Sequence, residues 1–291
     1  MIGPRSELVT GPLAPSGRGS GTRPGPWARV AAASLGPVRG VMTDIDDTLT
    51  RDGELQPAAR DALARLSTAG VPVLAITGRP MGWSERFVQP GPKAWPVAAI
   101  VAENGAVALI PQGDQLRIEY AQDAATRAVN AGHLREVAER ILREVPAATL
   151  ARDSAGRVTD IAIDHAEFAR LDAVRIAQVV ALMRSEGMNA TVSSIHINGW
   201  FGTHDKWSGA CWIVERLFGR PLAAEVQHWL YVGDSPNDQL MFRHFPLSVG
   251  VANLLQFADQ MVDWPAFITL GERGEGFAEV ARALLAARAC T

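Results

Sequence analysis

Hydrophobic and polar positions first fall into a recognisable order at Val38. Val38-Arg39-Gly40-Val41-Met42-Thr43 is a short, mainly apolar run that ends in acidic residues, the pattern of a buried parallel strand. Beyond it Ala59, Ala62, Leu63 and Leu66 recur at i, i+3, i+4 and i+7, which predicts a helix with Pro57 in its first turn and Gly70 as its stop. Val71 to Ile76 is a second strand. Strand, helix, strand in this order predicts a right-handed crossover and a parallel sheet. Ala98 to Ala102 is a third strand, and Asn104-Gly105 between apolar runs is a hairpin signal leading into Ala106 to Ile110.

Between about Tyr120 and Gly199 the rhythm changes. A helix carries Leu134, Val137, Ala138, Ile141 and Leu142 on one face, and a strand pair follows around Thr149 to Ile163. A second helix has Ile176, Val179, Val180 and Met183, and a strand over Val192 to Ile197 closes the segment. Antiparallel strands with two helices on one side describe an α+β insertion. Parallel-type signals then return: a helix after Lys206 with Trp207, Ala210, Cys211, Val214 and Phe218 inward, and a strand from Trp229 to Val232. The expected fold class is α/β, a Rossmann-like parallel-sheet core over residues 37–119 and 200–291 with an inserted α+β cap over 120–199. Residues 1–36, dense in Gly, Pro and Ser and without periodicity, are expected to form a disordered tail. Its arginines faintly suggest a transit peptide, but the absence of an apolar or amphipathic stretch favours a plain extension or an early start.

Composition narrows the function classes. With 47% apolar and 20% charged residues the 291-residue chain can bury a sizeable core. Its 28 basic against 31 acidic residues leave a net charge of −3 and no polyelectrolyte footprint, so a small-molecule ligand is expected and neither nucleic acid nor membrane. Apolar stretches fall well short of the roughly 20 residues of a membrane span. Cys211 and Cys290 make no disulfide framework and no metal-type spacing, which fits a reducing, cytoplasmic compartment. Oligomeric state is not legible.

The candidate chemistry sits where the strands end. Asp44-Ile45-Asp46-Asp47-Thr48 closes the first strand, and ligands of open α/β sheets bind at that end. Two carboxylates one residue apart can supply a nucleophile or metal ligand and an acid/base, and their repulsion calls for a cation, for which Mg²⁺ suits oxygen ligands shared with a phosphate. A plain acidic capping loop is the alternative. Thr77-Gly78-Arg79 ends the second strand with a hydroxyl, an approachable backbone N–H and a guanidinium, all suited to phosphate oxygens, or with an ordinary turn and a surface arginine. Gly233-Asp234-Ser235-Pro236-Asn237-Asp238 would direct Asp234 toward Asp44, or simply cap a helix. Lys206 adds a cation at a helix start, or a solvated lysine. Taken in order, the four elements are hard to ascribe to coincidence.

These four elements resemble the motifs of the haloacid dehalogenase superfamily of phosphohydrolases. Ala102-Glu103-Asn104-Gly105-Ala106 and an α+β insertion between the second and third motifs resemble its Cof-like branch, which includes sucrose-phosphate phosphatases and phosphomannomutases. The resemblance implies Asp44 as a nucleophile that becomes an aspartyl phosphate and Asp46 as general acid and then base. It implies Mg²⁺ held by the Asp44 side chain, the Asp46 carbonyl and Asp234, with Asp238 as ligand or as support for a ligand. Thr77, Gly78, Arg79, Lys206 and Asn237 would hold the phosphoryl group. The implied function is Mg²⁺-dependent hydrolysis of a small phosphorylated metabolite, with a sugar phosphate as a candidate. A phosphomutase, a catalytically silent phosphate-binding regulator and, more remotely, a metal-binding glycosyltransferase are the rivals.

Substrate clues are confined to the cap. Alternation in Ser194-Ile195-His196-Ile197-Asn198 places Ser194, His196 and Asn198 on one face, which either reads sugar hydroxyls or is the wet side of a strand. Trp200-Phe201 is expected to pack at the cap junction, with sugar stacking as the alternative. His165, His204 and His228 lack ligand spacing and receive no chemistry.

Overall fold

The computed structural model describes residues 23–289. The strands of its two larger sheets are β1 (Gly25–Pro26), β2 (Gly40–Thr43), β3 (Val73–Ile76), β4 (Ala99–Ala102), β5 (Val107–Gln112) and β6 (Gln115–Tyr120), then β7 (Thr149–Leu150), β8 (Asp160–Asp164), β9 (Asn189–Val192), β10 (His196–Trp200), β11 (Trp229–Gly233), β12 (Leu247–Gly250) and β13 (Phe267–Ile268). The longer helices are α1 (Pro57–Thr68), α2 (Ala124–Glu144), α3 (Ala173–Ser185), α4 (Lys206–Phe218) and α5 (Arg273–Ala289).

Among the described residues the main sheet has nine strands in the order β1-β13-β12-β11-β2-β3-β4-β5-β6, parallel from β1 to β4 and antiparallel beyond. The buried apolar runs explain its two covered faces. Val41, Val73 and Ala75 point to the layer of α1 and α5, whereas Met42, Leu74 and Ile76 point to that of α4. Register then positions the site. Thr43 pairs with Val232 on one side and Ala75 on the other, so Asp44, Asp234 and Thr77 leave three adjacent strands at one edge. The Asn104-Gly105 hairpin forms as expected, with β4 and β5 antiparallel and Asn104 in the left-handed region at φ 54°.

The cap segment forms a four-stranded antiparallel sheet, order β9-β10-β8-β7, beside α2 and α3. Its own core includes Leu134, Val137, Ile141, Ile163, Val179, Met183 and Ile197. Leu142 and Phe218 were expected to face inward, but they lie at the rims of their stripes and are 41% and 36% exposed.

Two other expectations change. Residues 1–22 of the expected tail lie outside the described residues, but 23–36 are built into the fold: β1 pairs with β13, and Trp27 packs edge-on against Phe267 and donates from Nε1 to the Glu279 carbonyl at 3.3 Å. A short strand ending in Pro suits a sheet edge, and the burial of the following Trp27 depends on α5, more than 200 residues away, which no local pattern announces. The single strand expected over Val192 to Ile197 is instead a hairpin. Ser193 Oγ accepts from the N–H groups of Ile195 and His196 at 3.3 and 3.0 Å and turns the chain, which takes Ser194 off the strand face of His196 and Asn198.

Candidate active site

The first loop is wound around one carbonyl. Ile45 O accepts from the N–H groups of Thr48, Leu49 and Thr50 and from Thr50 Oγ1, while the Ile45 side chain is sunk in the core. Anchoring the middle residue leaves Asp44 and Asp46 on the open side, where both line a narrow crevice. Thr77, Gly78, Arg79, Ser235 and Asn237 complete its core wall, and the turn at Ser193, Ser194 and Ile195 with His196 and Asn198 closes it from the cap.

Lys206 stands behind Asp44. Its Nζ, buried, donates to Asp44 Oδ1 and Asp238 Oδ1, each at 2.8 Å. Helix α4 places it there through its Asp205–Ser208 capping box and through close contact with the Glu103–Gly105 turn. A Cβ on Gly209 would lie 2.5 Å from Gly105 Cα, and one on Gly105 would lie 2.1 Å from the Asp205 carbonyl oxygen. Gly209→Ala gains helix propensity of at most about 1 kcal/mol. The backbone it strikes cannot move aside locally, and overpacking of this kind costs about 1–3 kcal/mol. The expected result is a net loss of stability, read as a lower urea midpoint with unchanged m-value.

Carboxylates outnumber cations here. Asp44, Asp234 and Asp238 are buried and bring one oxygen each within 4.8 Å of one another, against a single ammonium. Asp238 spends its oxygens on Lys206, on Tyr231 OH at 2.6 Å and on the N–H groups of Asp234 and Ser235. Among the described residues the Asp234 carboxylate has only long contacts, from Thr48 at 3.5 Å and Asn253 at 3.4 Å. Burial pushes the Asp44 carboxyl up to about 8, with Lys206 pulling it down and Asp238 and Asp46 pushing it further up. Burial and the Asp44 charge likewise raise Asp234 well above the carboxylate range. Oxygen donors with uncompensated charge fit a hard divalent cation, and Asp44 and Asp234 are the side chains with lone pairs to offer it. Asp238 fits a supporting position better than a ligand position.

Thr77 and Gly78 lie as expected on the crevice wall. Arg79 does not fit its expected role as a phosphate ligand. Its guanidinium is 4% exposed and engaged by Asp46, Asp153 and Glu167, because low-dielectric surroundings favour saturation of every N–H by carboxylates. Asn198 is similarly occupied: its Nδ2 donates to the Gly78 carbonyl at 3.1 Å and to Asp160 at 3.0 Å, which supports the motif loop. Trp200 and Phe201, expected at the junction, lie with the cap: Trp200 pairs with Asp160 and Asn189 in the cap sheet while its Nε1 donates to the His204 carbonyl at 2.8 Å, and Phe201 packs against the cap core.

Several residues of the site had no assigned role. Arg157 joins the Gly78 carbonyl to Asp160 and Asp153. Glu103, fully buried, accepts from the N–H groups of Met81, Val158 and Thr159 and from Thr159 Oγ1, which ties the cap to the core. Glu103 had a visible signal, an acid between an apolar strand and Asn-Gly. Asp153, Arg157 and Glu167 sit in cap loops with no local pattern. Glu167 is half-buried; against the effect of burial, its hydrogen bonds with His196 and Arg79 pull it down to about 2.

Residues 41–134 match the family profile described as haloacid dehalogenase-like hydrolase. Over those residues the chain is similar to haloacid dehalogenase-like hydrolases. No curated protein sequence matches it. Solved structures share the fold of this chain at low identity. A Thermoplasma acidophilum protein is 16% identical, with 85% of this chain and 98% of that one covered, at a TM-score of 0.65. The sucrose-phosphatase of Synechocystis, solved with sucrose and phosphate, is 18% identical over 85% and 98% of the two chains, at 0.61. A HAD/COF-like hydrolase of Plasmodium vivax is 16% identical over 87% and 98%, at 0.62. Among the described residues no helix is long and apolar enough to cross a membrane.

Proposed function

We propose that the protein is a Mg²⁺-dependent phosphatase of a small phosphorylated metabolite, with a sugar phosphate as the favoured class. The observation that carries this reading is the placement of Asp44 and Asp46 on one crevice, Asp44 backed by Lys206 and flanked by Asp234 and Asp238. Asp44 acts as the nucleophile on phosphorus. Lys206 orients its carboxylate and offsets negative charge beside the reacting group. The Thr77 hydroxyl and the N–H groups at the strand ends face the phosphoryl oxygens. Asp46 gives its proton to the departing oxygen, then takes one from the water that attacks the aspartyl phosphate. Mg²⁺, held by Asp44, Asp234 and the Asp46 carbonyl, would supply charge neutralisation at the transferring phosphoryl group.

The reading is tested by assaying the purified protein against a panel of phosphorylated metabolites with Mg²⁺. Turnover is expected, and excess chelator is expected to abolish it until Mg²⁺ is restored. Ca²⁺ is expected not to restore it, since its larger and looser coordination shell spoils the in-line arrangement. Full activity in chelator would remove the metal from the reading; no turnover across the panel would remove the phosphatase.

A further inference from the structure

Every donor of Arg79 is committed. Nε and Nη2 hold the two oxygens of Asp46 at 2.9 and 3.0 Å, and the remaining N–H groups reach Glu167 at 2.7 and 3.3 Å and Asp153 at 3.1 Å. The guanidinium lies over the Trp83 ring, 4.7 Å from its centroid. Asp46 and Arg79 belong to the core, whereas Glu167 and Asp153 belong to the cap segment. Glu167 Oε2 is also 2.9 Å from Nε2 of the buried His196.

The turn that carries Glu167 is held rigidly. Asp164, 2% exposed at the end of β8, accepts from four successive backbone N–H groups, those of Ala166, Glu167, Phe168 and Ala169, at 2.9–3.2 Å. One carboxylate organising four amides fixes the direction in which Glu167 leaves the cap. Glu167 also lines a wider groove of about 590 Å³, shared with Asp46 and lined by Phe168 of the cap and Phe257 of the core. A leaving group that breaks from phosphorus and takes its proton from Asp46 would enter this groove.

We propose that Glu167 is a positioning residue, which by gripping Arg79 from the cap sets the orientation of the Asp46 carboxylate and makes acid–base transfer depend on a seated cap. The inference rests on the phosphatase reading and deepens it. A guanidinium is a rigid plane of five donors, so fixing one edge on Glu167 and Asp153 fixes the edge that faces Asp46. Without the cap carboxylates that plane turns on its flexible stem and takes Asp46 with it. Misplacement of a reacting group by about 1 Å is worth about 10²-fold in rate.

The test is a double-mutant cycle with p-nitrophenyl phosphate as probe. Glu167→Gln keeps the side-chain shape and part of its hydrogen bonding. It is expected to lower kcat about 10²-fold with kcat/KM held within about threefold, because nitrophenolate leaves without a proton and only attack by water needs the base. In an Asp46→Asn background the same substitution is expected to change kcat by less than about twofold, since the group it orients is gone. Arg79→Lys, which cannot hold both oxygens, is expected to behave as Glu167→Gln does. Losses that multiply across the cycle, or a kcat/KM that falls with kcat, would overturn the proposal in favour of leaving-group binding or plain cap stability. A reading without turnover keeps the two claims separate. The Arg79 Nε–H resonance is expected to be sharp and slow to exchange in the unmodified protein and to broaden in Glu167→Gln. An unchanged resonance overturns the positioning role, whereas absence of turnover in the unmodified protein overturns only the reaction.

Discussion

Asp44→Asn is expected to lower kcat by a factor on the order of 10⁴–10⁶, as loss of a covalent nucleophile does, while the fold stays as firm or becomes firmer. An amide oxygen can still accept from Lys206, whose second partner, Asp238, stays in place. The substitution removes one of three buried carboxylates that share one ammonium, so it relieves repulsion rather than breaking a balanced pair. The sign follows from linkage. Asp44 is raised by burial from 3.8 to about 8, so the folded protein holds a proton that the unfolded chain releases, and in metal-free buffer stability falls as pH rises through that window. The asparagine variant lacks this contribution. Its thermal midpoint in chelator at pH 8 is expected to equal or exceed that of the parent, with turnover at background. Parent-level turnover would require another nucleophile, and a collapsed midpoint would make Asp44 a structural residue.

Asp46→Asn has the second largest expected effect, and it separates substrates. Loss of a positioned acid/base group costs about 10²–10⁴-fold. An alkyl phosphate needs that proton on its leaving oxygen, so both kcat and kcat/KM are expected to fall by this amount. An aryl phosphate with a good leaving group still phosphorylates Asp44 and then waits for unassisted water. A burst of aryl alcohol and an acid-stable, hydroxylamine-sensitive phosphoenzyme are the expected observations. Arg79 keeps Glu167 and Asp153 as partners, so the variant is expected to remain folded. Equal slowing of both substrates with no trapped phosphoenzyme would move the acid–base role elsewhere and leave Asp46 acting through its backbone carbonyl.

Arg79 shows how one residue can be visible in the sequence and misread. The tripeptide Thr77-Gly78-Arg79 announces a strand-end loop with phosphate chemistry, and Thr77 and Gly78 do line the crevice. Which acceptor captures a guanidinium, however, depends on which oxygens surround it. Two of its three carboxylate partners come from cap loops 74 and 88 residues away. Likewise, alternation over residues 194–198 predicts a polar face, but the Ser193 turn and the Gly78 carbonyl determine what His196 and Asn198 touch.

The amino-acid sequence by itself determined the elements built on local periodicity. These are the apolar runs of β2, β3 and β11, the i, i+3, i+4, i+7 stripe of α1, the Asn104-Gly105 hairpin, and the strand-end acids Asp44, Asp46 and Asp234. Those features are local because backbone period and turn chemistry are properties of a few consecutive residues. Only the tertiary structure decided the rest. It brought Lys206 and Asp238 to Asp44, folded residues 25–35 onto α5, buried Glu103 under the cap backbone and tied Asp46 to Glu167 through Arg79. Each of these contacts satisfies a buried charge or covers an apolar edge, and such a demand is met by whichever group the fold brings near, not by a neighbour in sequence.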